Sequence, residues 1–206
     1  MDTLFLLKGL LLGFSIAAPV GPIGVLCIRR TLAEGRAVGF VSGLGAATAD
    51  AAYGALAAFG LTFVTSWLVG GQGWLRLIGG AFLCYLGART FLAKPAEQAA
   101  SVKGSGLLGA YATTLFLTLT NPTTILSFVA VFAGLGLASG AGNYASAGWL
   151  VGGVFLGSAA WWLVLSGGVS LLRARFDARA MVWVNRFSGM VIAGFGVVAL
   201  FSLIVG

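Results

Sequence analysis

Long apolar segments separated by short polar connections dominate the 206-residue sequence. Each apolar run between charged residues is close to the length of about 20 residues that an α-helix needs to cross a bilayer. A membrane β-strand needs only about 10 residues of alternating polarity, so strands are not expected. The pattern predicts an all-α membrane protein with six transmembrane helices, at about residues 4–28, 39–60, 74–93, 107–135, 147–171 and 182–205.

The amino-acid composition supports a membrane location and excludes several other classes of protein. Hydrophobic residues make up 59% of the chain, charged residues only 8%, and the mean hydropathy is +1.03. About a quarter of the residues of a soluble domain are charged, so a water-soluble globular protein, a disordered tail and a nucleic-acid-binding protein are excluded. The sequence has no histidine, which removes His-ligated metal and haem sites and every His-based triad. We therefore expect no cofactor, no metal and no enzymatic activity.

The basic residues are distributed unevenly between the connections. Ten of the twelve lysines and arginines fall in or around the connections at residues 29–38, 94–106 and 172–181. The positive-inside rule places these three connections in the cytoplasm, and both termini then face outward. The net charge of +7 is accordingly explained by topology, and it does not indicate an anionic partner such as nucleic acid.

The third and sixth segments share a spacing that indicates an internal repeat. In each of them a tryptophan, Trp74 or Trp183, is followed by glycines in the arrangement W-x5-G-x6-G. The second and fifth segments align at an offset of 108 residues, and the first and fourth each contain a proline site. Because three is an odd number of helices, the second copy must be inverted in the membrane, as in many secondary transporters. We expect one transporter domain over residues 1–206, with repeats at about 1–93 and 107–206 joined by a cytoplasmic linker at 94–106.

Small residues are abundant in the predicted helices. Glycine, alanine and tryptophan are common in membrane helices, so chance alignment is the alternative to a true repeat.

Small residues four positions apart let two helix backbones approach closely. Three such pairs predict close helix crossings, namely Gly39 with Gly43, Gly148 with Gly152 and Gly153 with Gly157.

Two proline sites at membrane depth are the first candidates for substrate binding. Pro19 and Pro22 flank Gly21 in the first segment, and two prolines three residues apart break an α-helix. Such a break is tolerated at membrane depth only where protein buries it or where it lines a cavity. The amides at the start of the second half-helix attract an anion such as a carboxylate. Asn121 and Pro122 form the equivalent site in the fourth segment, and a structural kink is the alternative for both sites.

Asp50 is the only acidic residue well inside an apolar segment, at the centre of the second predicted span. An ionised side chain there costs roughly 2.5–3.5 kcal/mol on insertion scales, which favours a functional role. We expect Asp50 to be the counter-ion for a substrate ammonium or the carrier of a coupling proton. The alternatives are a structural ion pair with Arg76 or Arg89 and a protonated aspartate in a hydrogen bond. Ser158 is its counterpart in the second repeat. Tyr53 and Trp161, one turn along each helix, are candidate walls of the substrate site or packing residues.

The order of these motifs resembles the LysE/RhtB family of amino-acid exporters. The similar positions are the run Pro19-Val20-Gly21-Pro22, Arg29, Gly35-Arg36, Gly39, Gly43, Gly45 and Asp50, then Asn121-Pro122, Gly157-Ser158 with Trp161, and Asn185-Arg186 with Gly189. The resemblance covers nearly the whole chain. It implies a multi-pass protein of the bacterial inner membrane that exports amino acids or related small metabolites, is driven by the proton gradient and has no ATP site. The threonine after Pro122 departs from the family pattern and leaves the substrate chemistry open.

The leading function is a secondary exporter whose partners are an amino acid, protons and the lipid bilayer, and its state as a monomer or homo-oligomer stays open. If Asp50 binds the α-ammonium, no second intramembrane acid remains for a cationic side chain, so we favour neutral amino acids over lysine or arginine. The alternatives are a non-transporting lipid-handling or scaffold protein and a metal-ion exporter, for which the chain supplies few ligands. A membrane redox protein would need a cysteine beside each proline break, and no cysteine lies near Pro122.

Overall fold

The computed structural model describes residues 2–19, 21–59, 72–92, 95–121, 124–125, 127–128, 144–172 and 178–205. Within these ranges the prediction of an all-α protein is confirmed, since they form seven α-helices and no strand. The helices are α1 (Asp2–Ala17), α2 (Pro22–Glu34), α3 (Arg36–Ala58), α4 (Gln72–Leu92), α5 (Pro95–Leu119), α6 (Tyr144–Leu172) and α7 (Ala178–Val205).

Several of these helices have the length and hydropathy of membrane spans. Three of them are long and apolar enough to cross a membrane alone, over Gly73–Leu92, Tyr144–Leu172 and Arg179–Ile204. The helices α1 and α2 are long and apolar enough only as a pair, which is bent by 82° at the junction. The helix α3 is 23 residues long, but its glycines, alanines and Asp50 lower its hydropathy. The chain is therefore a multi-pass membrane protein, and the described residues give three of the six predicted spans, or four with the bent pair.

The first predicted span, at about 4–28, is divided into two helices. Helix α1 ends at Ala17, and α2 begins at Pro22, with Gly21 as its N-cap. Proline is well suited to this first helical position because its missing N–H has no intrahelical partner there. The break therefore lies between Ala17 and Pro22, at the pair of prolines that predicts it.

The fourth predicted span differs from the expectation at its start. Helix α5 begins at Pro95, so residues 95–105 of the predicted linker are helical. The regular geometry is interrupted at Gly106, whose φ of 54° is in a region that favours glycine, and the predicted start at 107 follows this kink. Helix α5 ends at Leu119, and the Asn121 carbonyl then accepts hydrogen bonds from the amides of Thr124 and Ile125, at 3.1 and 3.3 Å.

Glycines bring α1 and α6 into backbone contact. Gly9 and Gly13 lie against the backbone of α6, and Gly153 and Gly157 lie against the backbone of α1. A Cβ atom at any of the four positions would overlap the neighbouring backbone. The crossing predicted from Gly153 and Gly157 is therefore confirmed.

The glycine pair one turn earlier on α6 behaves differently. A Cβ atom at Gly148 or at Gly152 would meet nothing within 4 Å, so the crossing predicted there is wrong. The reason is helical geometry. Gly148 is five positions before Gly153, which corresponds to about 500° of helical rotation, or one full turn plus about 140°. Gly148 and Gly152 therefore face about 140° away from the side of α6 that contacts α1.

Helices α4 and α7 form a second glycine contact. A Cβ atom at Gly80 would lie 3.1 Å from the Gly196 carbonyl oxygen, and one at Gly196 would lie 2.8 Å from that of Gly80. A Cβ atom at Gly189 would lie 2.7 Å from the Gly87 carbonyl oxygen. All four glycines belong to the W-x5-G-x6-G pattern, so its spacing corresponds to a tight contact between these two helices.

Two arginines bind the C-terminal end of α2 to its neighbours. Arg30 is buried and its Nη1 donates to Ser42 Oγ (2.9 Å), to the Ala110 carbonyl (2.9 Å) and to Thr114 Oγ1 (3.0 Å). Arg29 is buried as well, and its Nε donates to Asn185 Oδ1 at 3.1 Å. One end of α2 is thereby fastened to α3, α5 and α7, whereas its other end lies at the break.

Candidate functional site

A cavity of about 430 Å³ lies where the break between α1 and α2 meets α3, α4, the end of α5, α6 and α7. Both halves of the chain contribute to its walls. Asp50 and Arg76 are the charged residues among the described residues that line it. Its volume is in the range of roughly 300–1,000 Å³ that is typical of small-molecule sites.

Asp50 is held in the wall of this cavity by a chain of hydrogen bonds. Ser158 Oγ donates to Asp50 Oδ2 at 2.7 Å, and Trp162 Nε1 donates to Ser158 Oγ at 3.2 Å. All three side chains are buried, with Asp50 4% exposed and Ser158 fully buried. The side chain of Trp162 lies against Gly43, where a Cβ atom would overlap the indole. These hydrogen bonds hold Oδ2 of Asp50 in place, and the donor, Ser158, belongs to the C-terminal half of the chain.

The N-terminus of α2 forms the wall next to the break. No side chain caps this helix at Gly21, and the Val25 amide donates to the Gly21 carbonyl at 3.0 Å. The first amides of a helix have no partner within the helix, and those of Ile23 and Gly24 belong to this group. Pro22, Ile23 and Gly24 all line the cavity, so the positive end of the α2 dipole is directed toward it.

Short polar side chains from the end of α5 and beyond line another part of the cavity. The hydroxyl groups of Thr118 and Thr120 donate to carbonyls of their own helix, at 2.8 and 2.9 Å. Asn121, Thr124 and Ser127 continue this wall past the end of α5. These groups offer hydrogen bonds to a polar ligand without adding a charge.

Arg76 supplies the positive charge in the same cavity. It is half-buried on α4, and its Nη1 donates to the Ser202 carbonyl of α7 at 3.3 Å. Gly79 and Gly80 follow one turn later and line the cavity without a side chain. The guanidinium therefore lies in the cavity wall between two helices of different halves.

The structure places the described site residues that were predicted from the sequence in three groups. Pro19, Gly21, Pro22, Asp50 and Asn121 line the cavity. Ser158 lies behind Asp50 as its hydrogen-bond donor. Pro122 is outside the described residues.

Tyr53 and Trp161 form the third group, because neither is among the described residues that line the cavity. The Tyr53 hydroxyl donates to the Leu119 carbonyl at 2.6 Å, and its ring packs near Phe128. The Trp161 ring makes an edge contact with Phe14 of α1, at 5.4 Å between centroids. In the described structure both side chains support the helices around the cavity.

Trp162 and Arg76 are two lining residues that the sequence argument did not select. The repeat alignment pairs Tyr53 with Trp161, whereas Trp162 is four residues after Ser158 and thus on the same face of α6. That spacing was the available signal for Trp162. Arg76 was considered only as an ion-pair partner, because an arginine near the end of a span is ordinarily a topology signal.

Comparisons with known proteins give one family model and two curated relatives that match the chain. A family model described as LysE type translocator matches residues 14–203. The chain is 30% identical over 132 residues to "Putative amino acid efflux protein YcgF" of Bacillus subtilis, an alignment that covers 63% of this chain and 62% of that protein. It is 28% identical over 109 residues to "Uncharacterized membrane protein YahN" of Escherichia coli, covering 52% of this chain and 49% of that protein. The matched region therefore spans about half to three fifths of these curated relatives. No solved structure matches the chain significantly.

Proposed function

The chain belongs to the family of LysE type translocators, and from this premise we propose that it is a secondary transporter that exports neutral amino acids from the cytoplasm. The relative from Bacillus subtilis carries amino acid efflux in its name, which supports amino acids as the exported substrates. The protein would lie in the inner membrane with the connections at 29–38, 94–106 and 172–181 on the cytoplasmic side, in accord with their basic residues.

The observation that carries the proposal is the shared cavity of Asp50 and the α2 N-terminus. An amino acid carries an ammonium and a carboxylate. A buried aspartate is a partner for the ammonium, and helix-terminal amides are donors for the carboxylate. The side chain would then lie against the apolar wall, which includes Leu83, Leu117 and Phe195.

The contacts of equivalent residues support an inverted repeat, with units at about 1–93 and 107–206. Asp50 and Ser158, which are 108 positions apart, are hydrogen-bonded to each other. A two-fold relation between the copies predicts such a contact between equivalent residues near the axis. The glycine contacts between α4 and α7 follow the same rule. Gly80 contacts Gly196, and their equivalents at an offset of 109, Gly189 and Gly87, also contact each other.

The packing of α1 and α5 supports the same relation. Gly153 of α6 lies against the Leu6 carbonyl and the Leu10 amide of α1. Gly45, its equivalent in α3, lies against the Tyr111 carbonyl and the Leu115 amide of α5. In both cases a glycine contacts backbone groups four residues apart, so α1 and α5 occupy corresponding places.

Transport would proceed by alternating access, with one repeat rocking against the other around the cavity. Asp50 is the group that couples this movement to the proton gradient. A proton taken up from the outside would neutralise the carboxylate and release the substrate ammonium. Return of that proton to the cytoplasm would restore the charge for the next substrate, so that one proton enters for each substrate exported.

Counterflow in proteoliposomes tests the proposed function. The purified full chain is reconstituted with a high internal concentration of one unlabelled amino acid, and uptake of the labelled form is followed. We expect neutral amino acids to exchange, whereas lysine and arginine exchange weakly or not at all.

A non-transporting membrane protein would give no counterflow with any amino acid, and that result would contradict the proposal. Exchange of lysine or arginine without any neutral amino acid would contradict the substrate class. Empty liposomes and a Gly152→Ala variant, whose added methyl group faces open space, provide the controls.

A further inference from the structure

The cavity contains one acid and one base among its described lining residues, Asp50 on α3 and Arg76 on α4. The site proposed above uses the acid and the helix break but leaves the base without a role. We propose that Arg76 binds the carboxylate of the substrate, so that the transporter selects molecules that carry an ammonium and a carboxylate together. This inference rests on the proposed function and names a further ligand of the same site.

The chemistry of the guanidinium supports this role. Arginine remains charged at every physiological pH, and its planar array of N–H donors matches the two oxygens of a carboxylate. The amides at the N-terminus of α2 are neutral donors and contribute only a partial charge. Arg76 therefore supplies the full positive charge that a carboxylate needs when it leaves water.

The local structure positions Arg76 for a ligand. Its Nη1 donates to the Ser202 carbonyl, which ties the guanidinium to the wall formed by α4 and α7. Gly79 and Gly80 line the cavity one turn further along α4 and pack closely, because a Cβ atom would lie 2.9 Å from the Thr120 carbonyl oxygen at Gly79 and 3.1 Å from that of Gly196 at Gly80. A residue whose only task was to mark the topology would not need to line the cavity that holds Asp50.

Charge balance then explains selectivity. A zwitterion brings a positive group to Asp50 and a negative group to Arg76, so each protein charge gains an interaction of opposite sign. A ligand without the carboxylate lacks the interaction with Arg76, and a ligand without the ammonium lacks the interaction with Asp50. Each single-charge analogue should therefore bind more weakly than the amino acid, by roughly tenfold to a hundredfold.

The test uses L-valine and two analogues that each lack one charge. Valinamide keeps the ammonium and lacks the carboxylate, whereas isovalerate keeps the carboxylate and lacks the ammonium. Each unlabelled compound competes with labelled valine in counterflow by proteoliposomes containing the full chain. The variants are Arg76→Gln and Arg76→Lys, and Arg186→Gln is the control because Arg186 is exposed on α7 and outside the cavity lining.

For Arg76→Gln we expect the half-saturation concentration for valine to rise about tenfold or more, while inhibition by valinamide changes by less than about threefold. Arg76→Lys keeps the charge but loses the planar fork, so its loss should be intermediate, and it carries the test if the glutamine variant does not insert. Arg186→Gln should match the parent protein. A merely structural arginine would instead weaken valine and valinamide to the same extent.

Unchanged discrimination between valine and valinamide in Arg76→Gln, with intact counterflow, would overturn the assignment of Arg76 alone. Absence of counterflow with every neutral amino acid in the parent protein would overturn the proposed function. The two failures are therefore distinguished by the unmodified protein.

Discussion

Replacing Ser158 with alanine removes the hydroxyl group that holds the Asp50 carboxylate. The Ser158 Oγ to Asp50 Oδ2 distance is 2.7 Å, and both side chains are buried, so no bulk water replaces the lost donor. A hydrogen bond to a charged group contributes about 1.5–3 kcal/mol. At about 1.4 kcal/mol for each factor of ten, the half-saturation concentration for a neutral amino acid should rise roughly ten- to a hundredfold.

Ser166→Ala is the matched control for this change. Ser166 is a buried serine two turns further along α6, and its hydroxyl donates to the Leu163 carbonyl of the same helix at 3.3 Å. Counterflow kinetics and detergent melting temperatures are measured for both variants. The loss of apparent affinity should be specific to Ser158→Ala. Only this variant should also lower the melting temperature, because it leaves the buried Trp162 N–H without its acceptor.

Trp162 allows the reasoning to be checked by a double-mutant cycle. In Ser158→Ala the indole N–H loses its acceptor, at an additional cost of about 1–3 kcal/mol for a buried unpaired donor. Trp162→Phe removes that donor, so the double variant should be more stable than the sum of the single variants predicts. Equal transport by Ser158→Ala and Ser166→Ala would refute the positioning role of Ser158.

Three further substitutions have outcomes that the packing determines. Gly157→Ala forces a methyl group into the backbone of α1 and should destabilise the protein by about 1–3 kcal/mol in thermal melting. The control Gly152→Ala should leave the melting temperature unchanged. Equal melting temperatures for the two variants would contradict the close crossing. Arg30→Met removes three hydrogen bonds and should lower stability by about 1–3 kcal/mol in the same assay, and an unchanged melting temperature would show that they contribute nothing. Gly21→Val adds a side chain where no atom lies within 4 Å and where φ is −104°, so the melting temperature should not change. The added side chain should reduce the transport of larger amino acids more than that of smaller ones. Normal transport of all of them would place the substrate elsewhere.

Local chemistry explains which parts of the fold and site could be predicted from the sequence. The break between α1 and α2 follows from two prolines, whose effect on a helix depends little on tertiary context. The hydrogen bond between Asp50 and Ser158 agrees with the proposed repeat, whose alignment pairs these two positions at an offset of 108. The sequence argument did not predict the helix at residues 95–105, because a polar stretch between apolar segments is typical of a loop. Its alanine, glutamate, glutamine and lysine residues nevertheless have high helix propensity.

Side-chain direction is the part of the site that the sequence argument could not determine. Trp161 and Trp162 differ by one position, which turns the side chain by about 100° around the helix. The repeat alignment selected Trp161, which faces Phe14, while Trp162 faces Ser158 and the cavity. Similarly, Gly148 and Gly153 share a pattern but lie on different faces of α6, and only packing against α1 distinguishes them.

The role of Asp50 is tested most directly by gradient-driven export from proteoliposomes containing Asp50→Asn. Asparagine has nearly the same size and can still accept the hydrogen bond from Ser158, so the variant should fold and insert. It cannot take up a proton or carry a negative charge. We predict that Asp50→Asn, at a normal level in the membrane, loses uphill export of neutral amino acids driven by a proton gradient. Normal uphill export by this variant would remove Asp50 from the mechanism and contradict the central claim.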